Sequence, residues 1–211
     1  SIGALLVKVR NRVIYAKEGF TIVAFAWILV SIFGAIPFYI SGAIPSFIDS
    51  LFETISGFTT TGASILTEIE TLPKGILFWR SFTHWIGGMG VLVFVMAIVP
   101  LAGDRSIHVM RAEVPGPTME KLVPRIKGTA KLLYSIYILL TVVEVIFLVA
   151  GKMPVFDSLV HAFGTAGTGG FSIMNASIAA YGSPYLEYVI AIFMMLFGVN
   201  FTIFFLLLAR E

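Results

Sequence analysis

The chain has 211 residues, 58% of them hydrophobic and 12% charged, with a net charge of +2 and no cysteine. A soluble domain carries about 25% charged residues, so this composition places the chain in a lipid bilayer. The small net charge argues against nucleic acid as a partner, and the lack of cysteine excludes disulfides and thiol chemistry.

Residues 1–18 begin in mid-hydrophobic sequence, "SIGALLVKVR", without a signal-peptide pattern. They read as the end of a preceding helix and a cytoplasmic linker, and the chain as a piece of a longer polypeptide. Phe20–Ile40 is the first stretch long and uncharged enough to span about 30 Å of hydrocarbon. An apolar segment at 47–58 follows, too short to cross and better suited to a re-entrant helix. It runs into the polar turn "TTTGAS" (59–64). Ser81–Leu101 is the second span, closing a first repeat at 19–103.

The only long polar stretch is 111–131, in which Pro115, Pro117 and Pro124 forbid a continuous helix, and 104–128 reads as the cytoplasmic linker between the repeats. The same order then returns over 129–211: a span at Leu132–Gly151, a short apolar segment at 155–165, the loop "GTGGFS" (167–172), and a span at Tyr188–Ala209. The two units superpose at a constant offset of 108, which carries Asp49, Thr60, Gly62 and Ser64 onto Asp157, Thr168, Gly170 and Ser172. The fold class expected is therefore an all-α integral membrane protein of two helix–pore helix–loop–helix repeats.

Charge sets the topology. Lys8, Arg10, Arg12, Lys17, Arg105, Arg111, Lys121, Arg125, Lys127, Lys131 and Arg210 fall on one side, leaving Lys74, Arg80 and Lys152 for the other. The positive-inside rule makes the basic side, including residues 104–131, cytoplasmic. Both repeats then enter from the cytoplasm and run parallel, with their re-entrant loops opening outward around one axis.

Non-helical backbone at membrane depth survives only inside protein or beside water. A single Thr/Gly turn reads as easily as a plain polar turn. Two in register, each behind a short helix, favour a pore. A monovalent cation entering a pore sheds water, and rings of backbone carbonyls replace that water without a full charge that would trap the ion. Glycine reaches the positive φ such a loop needs, threonine hydroxyls hold the loop or face the ion, and the helix C-terminus adds partial negative charge. The candidate filter residues are Thr59, Thr60, Thr61 and Gly62 in the first loop, and Gly167, Thr168, Gly169 and Gly170 in the second. The acids Asp49, Glu53 and Asp157, with Glu68, Glu70 and Glu187, lie on the outer flanks and would concentrate cations there.

The stretches "FGAIPFYISGAIPSFIDSLFETISGFTTTGAS", "FWRSFTHWIGGMGVLV", "RAEVPGP" and "GTGGFS" resemble the Trk/Ktr/HKT superfamily of potassium transporters, most closely its bacterial Trk membrane subunits. The resemblance covers essentially the whole chain. It implies four repeats around one ion pathway, so this chain would be half of a four-repeat potassium-channel-like pore. Remaining repeats of the same protein, or a second copy, would close the ring. It also implies that Gly62 and Gly170 are the filter glycines, that potassium is the transported ion at the filter carbonyls, and that uptake is the direction of transport. Homodimers, a cytosolic nucleotide-binding regulatory subunit and an inner-membrane, multi-pass location follow from the same resemblance. The family's gating loop and its membrane-embedded arginine belong to the later repeats.

Other residues carry weaker signals. Glu144 lies within a span, where an ionisable group is costly, and reads either as a proton or ion site or as an interhelical partner. Asn200 reads as an interhelical hydrogen-bonding residue. Arg80, His84 and Trp85 read as interfacial anchors, and "GGMG" (87–90) as a site of close helix approach. His84, His108 and His161 fall in separate segments without metal-ligand spacing, so no transition-metal site or cofactor is expected. Two rival functions differ in kind from transport. Asp157 and His161, at i and i+4, have the spacing of an acid–base pair in a membrane enzyme, and the chain also fits a non-conducting membrane assembly subunit.

Overall fold

The computed structural model describes residues 16–98, 122–199 and 203–204. Those residues form helices and connecting loops, with no strand among them. Six α-helices follow in order: α1 (Ala16–Ile40), α2 (Phe47–Phe58), α3 (Lys74–Ile98), α4 (Leu122–Ala150), α5 (Val155–Ala166) and α6 (Pro184–Gly198), with a 3-10 turn at Ser177–Tyr181 before α6. Long helix, short helix, loop and helix thus occur twice. Both short helices have 12 residues, about 18 Å of rise and too little to cross a bilayer. Thr21–Ile40 and Lys131–Ala150 are long and apolar enough to do so.

Local chemistry explains most helix ends. Ser46 caps α2 by accepting a hydrogen bond from the Asp49 N–H at 3.3 Å, and the Asp49 carboxylate complements the dipole in the first turn. Pro184 opens α6, where its missing N–H costs nothing. Two ends depart from expectation. α4 already begins at Leu122, with Pro124 confined to its first turn, where proline is tolerated. α6 stops at Gly198, and Val199 turns to extended backbone (φ −70°, ψ 142°), because glycine is a poor helix former. The expected fourth span therefore divides near residue 198. Residues 1–15, 99–121 (most of the linker and the end of the second expected span), 200–202 (with Asn200) and 205–211 lie outside the described residues.

Large apolar side chains stand exposed along α1 (Phe25, Phe33, Ile40), α4 (Leu139, Ile146) and α6 (Met195). A soluble protein rarely leaves such continuous apolar faces open; in lipid they are the favoured surface. The largest buried cluster joins Leu133, Ile136, Tyr137 and Leu148 of α4 to Leu186, Val189, Ile190 and Phe193 of α6.

α3 is the central element, packing against both α2 and α5 and so linking the two repeats. The glycines of "GGMG" permit this closeness. A Cβ at Gly87 would strike the Phe58 carbonyl at the end of α2, one at Gly88 would come within 2.5 Å of the Tyr137 hydroxyl on α4, and one at Gly90 would crowd the Trp27 ring on α1. Three helices thus approach a single stretch of α3 by way of its glycines. Edge-on and tilted aromatic contacts fill the α3–α5 seam, where Phe163 meets the rings of Phe78, Phe82 and Trp85 at 5.4–5.8 Å.

Candidate functional site

The loops after α2 and α5 have matching backbones. Thr59 and Gly167 have φ of −82° and −76°. Thr60 and Thr168 turn to +55° and +56°, and Gly62 and Gly170 to +78° and +76°. Thr61 and Gly169 are absent from the left-handed set, so each loop alternates the sign of φ along four residues. Alternating handedness turns successive peptide groups the same way, and the two loops share that pattern. Glycine was the residue expected at positive φ, yet half of the left-handed positions are threonines. A β-branched residue there is an outlier costing about 1–3 kcal/mol.

Hydrogen bonds repeat in the same register. Thr59, Thr60 and Thr61 donate their N–H groups to Ile55, Gly57 and Ser56, and Gly167, Thr168 and Gly169 donate to Phe163, Thr165 and Gly164. The first three N–H groups of each loop are thus spent on the end of the preceding helix. Among the described residues no donor reaches a carbonyl of 59–62 or 167–170. Two of the three threonine hydroxyls of the first loop hold the loop: Thr59 Oγ1 donates to the Ile55 carbonyl at 2.7 Å and lies 2.8 Å from Thr61 Oγ1.

The two loops also converge. A Cβ on Gly62 would overlap the Gly169 carbonyl oxygen, and one on Gly169 would lie 3.0 Å from the Thr60 carbonyl. All eight residues read from the sequence as the filter therefore sit in two adjoining loops.

The polar support behind these loops was missed in the sequence. Arg80, Thr83, His84 and Gly87 occupy one face of α3 at helical spacing. Arg80 is 2% exposed, and its Nε donates to Glu53 Oε1 at 2.6 Å. Nη1 donates to the Ser172 carbonyl at 2.8 Å, while the guanidinium lies 3.6 Å from the Phe171 ring centre. Glu53 also accepts from the Ser64 hydroxyl and the Ile65 N–H at 2.9 and 3.0 Å. His84 is fully buried, its ring centre 3.9 Å from that of Phe171, and it fills the space that side chains on Gly167 and Gly169 would need.

Three expectations change. Arg80 and His84 are not interfacial anchors, because α3 begins at Lys74 and places both more than a turn inside it. Glu53 is not an outer-vestibule acid, because it is buried and its charge is matched by Arg80. Asp49 and Asp157 stay partly exposed in the first turns of α2 and α5, and Asp157 accepts the Tyr181 hydroxyl at 2.8 Å. Burial and the Asp157 carboxylate push the Tyr181 hydroxyl well above its ordinary pKa. The signal that could have found Arg80 was the apolar run Ile76–Trp79 just before it, which extends the helix toward Lys74 and carries the cation inside. Glu144 is fully buried in α4, with no hydrogen-bond partner for either oxygen among the described residues.

The proposed acid–base pair does not form between side chains. His161 Nδ1 lies 2.8 Å from the Asp157 backbone carbonyl and Nε2 lies 2.9 Å from Ser172 Oγ, while the Asp157 carboxylate faces Tyr181. His161 thus ties the second loop to α5, as Glu53 ties the first to α2. Truncating His161 to alanine is expected to leave transport measurable while lowering stability by about 1–3 kcal/mol, because the Ser172 hydroxyl loses its imidazole partner and keeps only the Met174 N–H; thermal melting and ion uptake of the variant check both halves.

The family profile described as "TrkH: Cation transport protein" matches residues 3–211. The chain is 43% identical over 196 residues to the Trk system potassium uptake protein TrkH of Salmonella typhimurium, covering 92% of this chain and 41% of that protein. It is 36% identical to the Trk system potassium uptake protein TrkG of Escherichia coli, again covering 92% and 41%. The crystal structure of the potassium transporter TrkH from Vibrio parahaemolyticus superposes with a TM-score of 0.80 at 34% identity, over 97% of this chain and 41% of that one. The chain thus spans about two-fifths of the length of these relatives. With matches of this extent in sequence and in structure, the chain belongs to the TrkH family of cation transport proteins, which are transporters and not enzymes.

Proposed function

We propose that this chain supplies the first two repeats, 19–103 and 129–211, of a potassium-uptake transporter, and two strands of its selectivity filter. The observation that carries this reading is the matched pair of loops, alternating in φ, with their N–H groups turned back to α2 and α5 and their backbones adjoining at Gly62 and Gly169. Carbonyls left without donors, beside helix C-termini, suit a dehydrated monovalent cation. The relatives named as potassium transporters support potassium as that ion. The ion moves down the membrane potential, each charge gaining about 2.3 kcal/mol per 100 mV. Two filter strands do not enclose an ion, so further repeats of the same protein complete the ring.

By the same reasoning the protein sits in the inner membrane with residues 104–131 cytoplasmic, where their basic side chains belong. It assembles as a homodimer with a cytosolic nucleotide-binding subunit, a partnership drawn from family resemblance.

Radiolabelled rubidium uptake, with sodium as competitor, in potassium-uptake-deficient cells tests the reading. The intact transporter carrying these residues is expected to take up rubidium against excess sodium, and residues 1–211 expressed alone are expected to give none. Uptake unchanged by substitution of Gly62 and Gly170 would refute the filter assignment.

A further inference from the structure

We propose that Arg80 is a positioning residue for ion selection, a single guanidinium that sets the spacing between the two filter loops. The inference rests on the filter reading above.

Each loop is tied at its outer end to the short helix before it. In the first, Glu53 of α2 holds the Ser64 hydroxyl and the Ile65 N–H, two and three residues past Gly62. In the second, the residue at the matching position is His161, which holds the Ser172 hydroxyl two residues past Gly170. The ties are alike, but the first is an anion and the second a neutral-capable ring. A buried carboxylate needs a counter-charge, and Arg80 provides it at 2.6 Å.

The guanidinium does more than neutralise. Its second arm crosses to the other loop, donating to the Ser172 carbonyl at 2.8 Å, and its plane rests on the Phe171 ring. Phe171 and Ser172 directly follow the filter glycine Gly170. The same planar fork therefore holds the outer end of the second loop directly and that of the first through Glu53, from a helix that packs against both short helices. A fork of fixed geometry transmits position in a way a flexible ammonium does not. The 108-residue offset places the exposed Tyr188 at the position matching Arg80, so the device occurs once for the two loops.

The consequence concerns discrimination more than capacity. Potassium and sodium differ in the carbonyl arrangement that replaces their water, and the spacing of the two strands is part of that arrangement. Two variants of the intact transporter separate positioning from plain structural support. Glu53→Gln/Arg80→Gln removes both charges together, so no buried ion is left unmatched. Arg80→Lys keeps the charge opposite Glu53 but cannot fork to both loops.

Each is measured for folded protein by size-exclusion chromatography, and for sodium inhibition of rubidium uptake per folded transporter. Both variants are expected to strengthen sodium inhibition about tenfold at near-normal folded amounts. Normal sodium inhibition in both would overturn the inference, leaving Arg80 as a structural ion pair only. If the neutral pair yields no folded protein, the lysine variant decides on the same readout. Gly62→Ser run alongside keeps the two claims apart. If it alters sodium inhibition and the Arg80 variants do not, only the positioning role fails. If it also has no effect, the filter reading itself fails.

Discussion

Replacing Gly62 with alanine is expected to reduce rubidium uptake by the intact transporter more severely than the same change at Gly170. Both glycines sit at left-handed φ, +78° and +76°, and an L-residue there costs about 1–2 kcal/mol. That cost alone corresponds to about a 5- to 30-fold loss of correctly formed loop. At Gly170 little else is added, since the nearest atom to a new Cβ is the flexible tip of Met194 at 3.8 Å. At Gly62 the new Cβ would meet the Gly169 carbonyl oxygen, and would lie 2.9 Å from its carbon. Those are backbone atoms of the opposite loop and have no rotamer to yield, so the loops must part. Uptake assays on the two single variants, normalised to folded protein, check the order. Equal losses would mean that the loops do not meet at Gly62.

Arg80→Met is expected to destabilise the protein by about 3–5 kcal/mol, the range for removing one partner of a buried pair. The Glu53 carboxylate is 1% exposed and would be left without a counter-charge, retaining only its contacts to Ser64 and Ile65. The Phe171 face and the Ser172 carbonyl would lose their cation at the same time. Because Arg80 pairs with Glu53 inside the first repeat and reaches Ser172 and Phe171 of the second, the loss falls both within the first repeat and on the contact between the two. Thermal melting of the detergent-purified transporter measures it. Glu53→Gln/Arg80→Met is expected to recover much of the loss by removing the unmatched charge. A single variant that melts like the parent would show that the pair contributes nothing net.

What was legible in the sequence were the features that repeat or that lipid imposes. Apolar runs of about 20 residues marked the spanning helices, because a bilayer of fixed thickness demands them. The shorter runs ahead of "TTTGAS" and "GTGGFS" marked α2 and α5, and the constant offset of 108 placed Thr60 against Thr168 and Gly62 against Gly170. The structure gives those pairs φ angles equal within a few degrees. The filter candidates, Thr59–Gly62 and Gly167–Gly170, were found from the two loops read in register, each with its short helix in front.

What the tertiary structure decided were the contacts between segments far apart in the chain. Whether Glu53 faces water or Arg80 depends on α3 packing across α2, 27 residues later, and no local pattern encodes that. Arg80 and His84 looked like boundary residues because their helix was expected to begin at Ser81; starting at Lys74, it carries them inward. The break at Gly198 and the meeting of Gly62 with Gly169 are likewise matters of backbone path. Composition and periodicity report what each segment needs from its solvent, so the sequence by itself determined the membrane class, the two repeats and the two loops. Which buried charge meets which is set by how the helices cross, and only the packed fold determined that.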